Sequence, residues 1–202
     1  KHPVFTRIYI VDIETGVIEA VSPEGLHVWE FCWSPDRKEF AAVVSDLPHE
    51  TSWYRCRLEA FSSAKGGSAR SLHRSVRPVG KPAWSPDGAS VAFLSSMWSD
   101  RGNTIGDVFI VPADGGKARD VTVSHGVSVS SFAWSADSTR ILTVAHDDGG
   151  TGVSDVDVAT AKRHALWRGD VVLAGATESF DMDASETMVM VREDSSSPTD
   201  VW

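Results

Sequence analysis

The stretch Phe31-Cys-Trp-Ser-Pro-Asp36 returns as Pro82-Ala-Trp-Ser-Pro-Asp87, as Phe132-Ala-Trp-Ser-Ala-Asp137 and, more loosely, as Phe180-Asp-Met-Asp-Ala-Ser185. The copies start at residues 31, 82, 132 and 180, a near-constant period of about 50 residues that marks a repeat architecture. Within a copy, the first residue and the Trp two places on lie on one side of a strand, because side chains alternate with period two. Ser-Pro-Asp-Gly then predicts a turn: Pro pre-sets φ, Asp bonds nearby backbone, and Gly88 accepts a strained position. A short apolar run follows each turn, at 39–45, 90–95, 140–145 and 187–192, and predicts the returning strand.

The rest of each period supplies two more strands. They are expected at 107–112 and 118–123 around Ala113-Asp-Gly-Gly116, and at 153–158 and 163–168 around Ala159-Thr-Ala161. A further pair is expected at 53–60 and 69–74 around the Gly/Ser stretch 62–68, and no segment shows helical periodicity. A lone four-stranded sheet cannot bury both faces, whereas sheets packed around a channel can. The fold class is therefore all-β, a β-propeller fragment of four-stranded antiparallel blades, about four blades of a seven- or eight-bladed ring. The expected organisation is a single partial propeller domain over 1-202: 1-25 the end of a blade, 26-77, 78-126 and 127-173 full blades, 174-202 the start of another. A closed four-bladed ring is the alternative. The third-strand stub at Thr199–Trp202 counts against it, because it would duplicate the strand at Phe5–Asp12. Open sheet faces and edges also make a second copy of the chain a possible partner.

Composition narrows the function. With 28 acidic against 19 basic residues the net charge is −9, so phosphate backbones are repelled and nucleic acid is not an expected partner. Apolar runs such as 40–44 and 91–94 are far too short to span a membrane, and residues 1–9 lack the apolar core of a signal peptide. Two cysteines, Cys32 and Cys56, form no disulfide framework and no metal spacing. Both are placed in strands as free, mostly buried thiols, which suits a reducing, cytoplasmic compartment.

At Trp-Ser-Pro-Asp-Gly the chain resembles the propeller repeats shared by TolB-like periplasmic proteins and the prolyl oligopeptidase clan of serine peptidases. Two segments are more similar to the peptidases, acylaminoacyl-peptidase types above all. They are the hairpin Gly106-Asp-Val-Phe-Ile-Val-Pro-Ala-Asp-Gly-Gly-Lys-Ala-Arg119 and the loop Ser196-Ser-Pro-Thr-Asp-Val-Trp202. The resemblance implies a peptidase whose C-terminal α/β-hydrolase domain carries the Ser-Asp-His triad on a Gly-x-Ser-x-Gly elbow. No such elbow occurs here; the nearest string, Gly66-Gly-Ser-Ala-Arg70, lacks the closing Gly. No residue is therefore assigned to catalysis, and this chain is expected not to be an enzyme. The implied role is that of a gate admitting short or unfolded peptides to the hydrolase domain, and of a surface for assembly. A stand-alone TolB-like binding propeller, periplasmic and without enzymatic role, is the alternative.

Local motifs have structural readings first. Asp181-Met-Asp-Ala-Ser-Glu186 imitates a calcium loop, but Glu186 stands where Gly is needed. Asp147-Asp-Gly-Gly150 is a loop signal, and the seven histidines show no ligand spacing, so no metal or cofactor is expected. Trp33, Trp84 and Trp134 are expected in the core between blades. Trp98 differs: it lies near Arg101 in the irregular loop 97–106, on the side where a meander also gathers His49, Glu50, Asp147, Asp148 and the Ser-Ser-Pro-Thr loop. Trp98 and Arg101 are the candidates for the face that meets the hydrolase domain, since loops on a rigid scaffold carry function.

Overall fold

The structure is a computed structural model that describes residues 3–64, 69–97, 99–173, 180–183, 185–196 and 200–201. It is built of antiparallel sheets. A hairpin of β1 (Tyr9–Val11) and β2 (Ile18–Ala20) comes first. The next sheet runs β3 (His27–Trp33), β4 (Glu39–Ser45), β5 (Arg57–Ser62), β6 (Ala69–Arg74), in that order. It is followed by β7 (Val79–Trp84), β8 (Ser90–Ser95), β9 (Asp107–Pro112) and β10 (Arg119–Asp120). Then come β11 (Ser128–Trp134), β12 (Arg140–Asp147), β13 (Gly150–Asp157) and β14 (Arg163–Gly169). In the last sheet β17 (Met188–Glu193) pairs with β15 (Val172–Leu173), β16 (Phe180–Met182) and β18 (Asp200–Val201). The expected third-strand stub is thus present at Asp200–Val201. By contacts the chain divides into two compact units, residues 1–104 with 110–119 and residues 105–109 with 120–202.

One turn explains why the repeat motif reads as it does. Ser34 Oγ donates to Asp36 Oδ1 at 2.8 Å, and the same carboxylate oxygen accepts the N–H of Lys38 at 3.1 Å. Ser85 and Asp87, and Ser135 and Asp137, repeat the arrangement. The loose fourth copy keeps the bond with the partners exchanged: Ser185 Oγ donates to Asp183 Oδ1 at 2.7 Å. Each turn needs one left-handed residue, filled by Arg37 (φ 60°), Gly88 (73°), Ser138 (63°) and Glu186 (62°). Glycine is the unstrained choice there, and only one copy uses it.

The inner strands hold a feature that period-two reading does not anticipate. Register shifts between Val28 and Glu30, Gly80 and Ala83, and Val129 and Ser131 place a bulge in each of β3, β7 and β11. The bulge brings Val28 to the same face as Phe31, three residues on, because Val28 pairs with Val44 and Phe31 with Ala42. Val28 then joins Ile8, Val21, Phe40, Ala42, Val44 and Phe61 in one apolar cluster. Burying each of the Val, Ile and Phe side chains contributes on the order of 1.5–3 kcal/mol.

Three local expectations change. Residues 50–53 form a one-turn helix, α1 (Glu50–Trp53), where the sequence suggested strand or loop. It lets Trp53 plug the sheet, wholly buried. Cys56 sits just before β5, not within it; it is buried, and Cys32 is half-buried. Both thiols are free, and burial pushes their pKa up to about 11 and about 12. Trp84 and Trp134 are buried, whereas Trp33 is 43% exposed beside the equally open Phe31. The reason is local: Ile8 and Val21 of the first hairpin join the cluster around Phe40 and Phe61, while the Trp33 ring stays partly open beside Phe40, 4.1 Å between ring centres.

Candidate interdomain face

The loop that carries Arg101 is built against α1, within the first compact unit. His49 precedes the helix in extended conformation, and Glu50 opens it. Trp53 points into the core while Tyr54 turns outward, the two rings meeting edge-on at 5.3 Å. Across from them, Asp100 and Asn103 exchange backbone hydrogen bonds of 3.1 and 2.9 Å in a tight turn. The loop is anchored by Thr104, buried against Gly80, where an added Cβ would stand 2.3 Å from the Thr104 hydroxyl. Only glycine allows that approach.

Two contacts then join the helix to the loop. The Tyr54 hydroxyl donates to Asp100 Oδ1 at 2.6 Å, and that oxygen also accepts the backbone N–H of Arg101 at 2.8 Å. The Arg101 guanidinium lies 3.6 Å from the Glu50 carboxylate. The Tyr54 hydroxyl, and then the Arg101 N–H, hold the Asp100 carboxyl below its ordinary range, and the same bond pushes the Tyr54 phenol up. This arrangement positions charges without activating a nucleophile. Leu47, Tyr54, Met97 and Arg101 are exposed to solvent.

Arg101 and Glu50 are thus brought together, with His49 next to Glu50 in the chain, while Trp98 lies outside the described residues. Tyr54 and Asp100 complete the cluster, and no sequence pattern joins them: 46 residues separate them, and the sequence places Tyr54 in a strand at 53–60. In the second unit Asp147 accepts a hydrogen bond from Arg163, and Asp148 and Gly149 make a two-residue turn with φ of 46° and 82°. Residues 197–199 of the Ser-Ser-Pro-Thr loop, and 66–68 of the glycine string, also fall outside the described residues. The calcium-like segment is a turn: Asp183 accepts the N–H groups of Ser185 and Thr187. Among the described residues no three His, Cys, Asp or Glu side chains are grouped to hold a metal ion, and no helix is long and apolar enough to cross a membrane. His27 is buried and accepts the Thr6 N–H at 3.0 Å, its pKa lowered by burial.

No protein-family model matches the chain. In sequence it is 28% identical, over 150 residues, to a Bacillus subtilis protein described as the uncharacterized peptidase YuxL. The match takes in 74% of this chain and 20% of that protein's length. In structure it is similar to an oligogalacturonate lyase (TM-score 0.73, 18% identity, 94% of this chain and 53% of that one). It is also similar to TolB from Acinetobacter baumannii (0.67, 18%, 96% and 44%). The β-propeller domain of the Trilobed protease from Pyrococcus furiosus matches as well (0.62, 14%, 96% and 57%). Identities this low establish fold alone, and the chain spans a fifth to about half of these proteins. The chain is a set of four-stranded β-propeller blades, similar in sequence to part of a bacterial peptidase and in fold to propellers that serve several functions.

Proposed function

We propose that this chain is the non-catalytic propeller of a serine peptidase of the prolyl oligopeptidase kind, gating peptide access to an α/β-hydrolase domain. The observation that carries the reading is the 28% match to a peptidase over 150 residues, which runs through the repeat itself. The clamped loop around Arg101 is the surface offered to that domain, with Trp98 in the same loop. Peptides are the substrates, and they are handled by the whole protein. Two measurements test this. The pure 202-residue chain is expected to show no turnover of peptide or acyl-peptide substrates; measurable hydrolysis refutes the gate role. In the longer protein, Trp98→Ala with Arg101→Ala is expected to shift kcat/KM or the upper size of accepted peptides. Unchanged kinetics removes these residues from the interface.

A second reading, a TolB-like binding propeller without enzymatic role, is favoured by the likeness to Acinetobacter baumannii TolB. The coding sequence past Trp202 separates the two. A Gly-x-Ser-x-Gly elbow followed by Asp and His supports the peptidase, and its absence supports the binding module.

A further inference from the structure

Three Asp-Gly steps occur in the chain, Asp87-Gly88, Asp114-Gly115 and Asp148-Gly149, and in each the glycine has a positive φ. A glycine after aspartate leaves its amide nitrogen unshielded beside the carboxyl carbon, so by sequence all three are open to the same ring closure. The structure separates them. At the first, both reacting groups are held. Asp87 Oδ1 accepts the Ser85 hydroxyl at 2.6 Å and the Ala89 N–H at 2.9 Å, while the Gly88 N–H donates to Ser85 O at 2.9 Å. At the second, the Gly115 N–H donates to Pro112 O at 2.8 Å. Gly115 is also wedged against β6, where an added Cβ would stand 2.7 Å from Ser71 O.

The third step is built otherwise. β12 and β13 close on the outer pair Asp147 and Gly150, so the two residues between them carry none of the ladder. Both are exposed, and an added Cβ on Gly149 would meet nothing within 4 Å. Among the described residues neither the Asp148 carboxylate nor the Gly149 N–H has a hydrogen-bond partner. Asp148 also stands at φ 46°, a left-handed conformation that L-residues adopt only at a cost. The flanks are firm by contrast. Asp147 accepts from Arg163, and an added Cβ on Gly150 would stand 2.6 Å from Gly169 O.

We propose that Asp148-Gly149 is a site of spontaneous backbone modification, the one of the three at which the folded chain forms isoaspartate. The Gly149 nitrogen gives up its proton and attacks Cγ of Asp148; the N–Cγ bond forms, a Cγ–O bond breaks and one water leaves. The succinimide then takes up one water at the Asp148 carbonyl carbon. The bond from that carbon to the Gly149 nitrogen breaks, and the backbone now runs through Cγ. No oxidant, reductant or cofactor enters. The carbonyl released in this way becomes a carboxylate, and its oxygen is the one to which Arg168 Nη2 donates at 2.7 Å. Arg168 therefore keeps its partner in the product, as a charge-assisted bond. The modification is independent of the peptidase reading.

The test is to hold the pure 202-residue chain in warm neutral buffer for weeks and map isoaspartate by electron-transfer fragmentation of its peptides. Each hydrogen bond that must open before ring closure slows the step by up to about tenfold, so residue 148 should carry at least about tenfold more isoaspartate than 87 or 114. Methyl transfer from S-adenosylmethionine by an isoaspartyl methyltransferase should rise in step. It should fall to background in Asp148→Ser, which removes the carboxyl and keeps a residue type that this chain holds at φ 63° in Ser138. Circular dichroism checks the fold of that variant; if it does not fold, the map of the wild type decides alone. In urea the three steps should react at similar rates, because only the folded chain tells them apart. Folded protein in which 87 or 114 matches 148 overturns the proposal. So does isoaspartate that appears at 148 only in urea.

Discussion

Glu39 in β4 and Arg140 in β12 stand at the same place in the repeat, six residues after Trp33 and Trp134, yet they carry opposite charge. In the first unit Glu39 receives both Nη groups of Arg70 from β6, and Arg70 also donates to the Ala113 carbonyl at 2.8 and 3.2 Å. In the second unit Arg140 supplies the cation, donating to both oxygens of Glu186 at 2.9 and 2.7 Å and lying 3.6 Å from Asp155 of β13. The third occupant of the position, Ser90, is neutral. The fold thus specifies a half-buried place for a charged strut between strand and neighbouring turn. The sign is free, because each blade supplies its own partner. Such pairs are about one-third exposed, so screening keeps their net value modest.

The comparison can be broken most severely at Arg140. Arg140→Glu sets a third carboxylate against Glu186 and Asp155 and should lower stability in urea by about 2–3 kcal/mol. Glu39→Arg meets a single guanidinium and should cost about 1–2 kcal/mol. Equal losses at the two positions would contradict the difference in partner number. Exchanging both charges, Glu39→Arg with Arg70→Glu, is expected to recover more than half of the single-variant loss. Recovery must stay incomplete, since a carboxylate at 70 cannot donate to the Ala113 carbonyl. Full recovery would show that the carbonyl bond contributes nothing.

A smaller effect sits in the turns. Hydrogen bonds from Ser135, then from Thr139, lower the Asp137 pKa from 3.8 to about 2, and Asp36 is lowered by its Ser34 bond in the same sense. A depressed folded pKa contributes stability that is complete above the unfolded value and is lost as pH falls through the folded one. The stability gap between the wild type and Asp137→Asn should therefore be constant from neutral pH to about pH 5 and close between about 4 and 2. A gap that is flat across that window would exclude Asp137 as an acid-sensitive support. The smallest effect concerns the left-handed residue. Arg37→Gly should stabilise by up to about 1 kcal/mol by relieving a positive φ. Glu186→Gly gains the same relief but removes the partner of Arg140, so its Tm should not rise.

These contrasts also mark what could be read from the chain. The hairpins were legible because the Ser-Pro-Asp turn bonds over two residues, within reach of any local pattern. The helix at Glu50–Trp53 was not, since four residues are too few to display a 3.6-residue period. The exposure of Trp33 depends on what packs beside it, and its own motif is indistinguishable from that of the buried Trp134. In the candidate face Arg101 was flagged by the irregularity of its loop. Tyr54 and Asp100 were invisible because a bond across 46 residues leaves no trace in spacing.

The bulge in β3, β7 and β11 bears on how the molecule arose. It adds one residue to a strand whose side chains alternate, so it acts as a parity bit for everything upstream of it. A duplicate that dropped the residue would turn Val28, Val79 or Val129, all now buried, toward the wrong neighbour. Three independent insertions at matching places are a costly history. One insertion in an ancestral unit, copied afterwards with its frame intact, accounts for all three. The loops between strands differ in length from copy to copy, while that single extra residue recurs in all three strands.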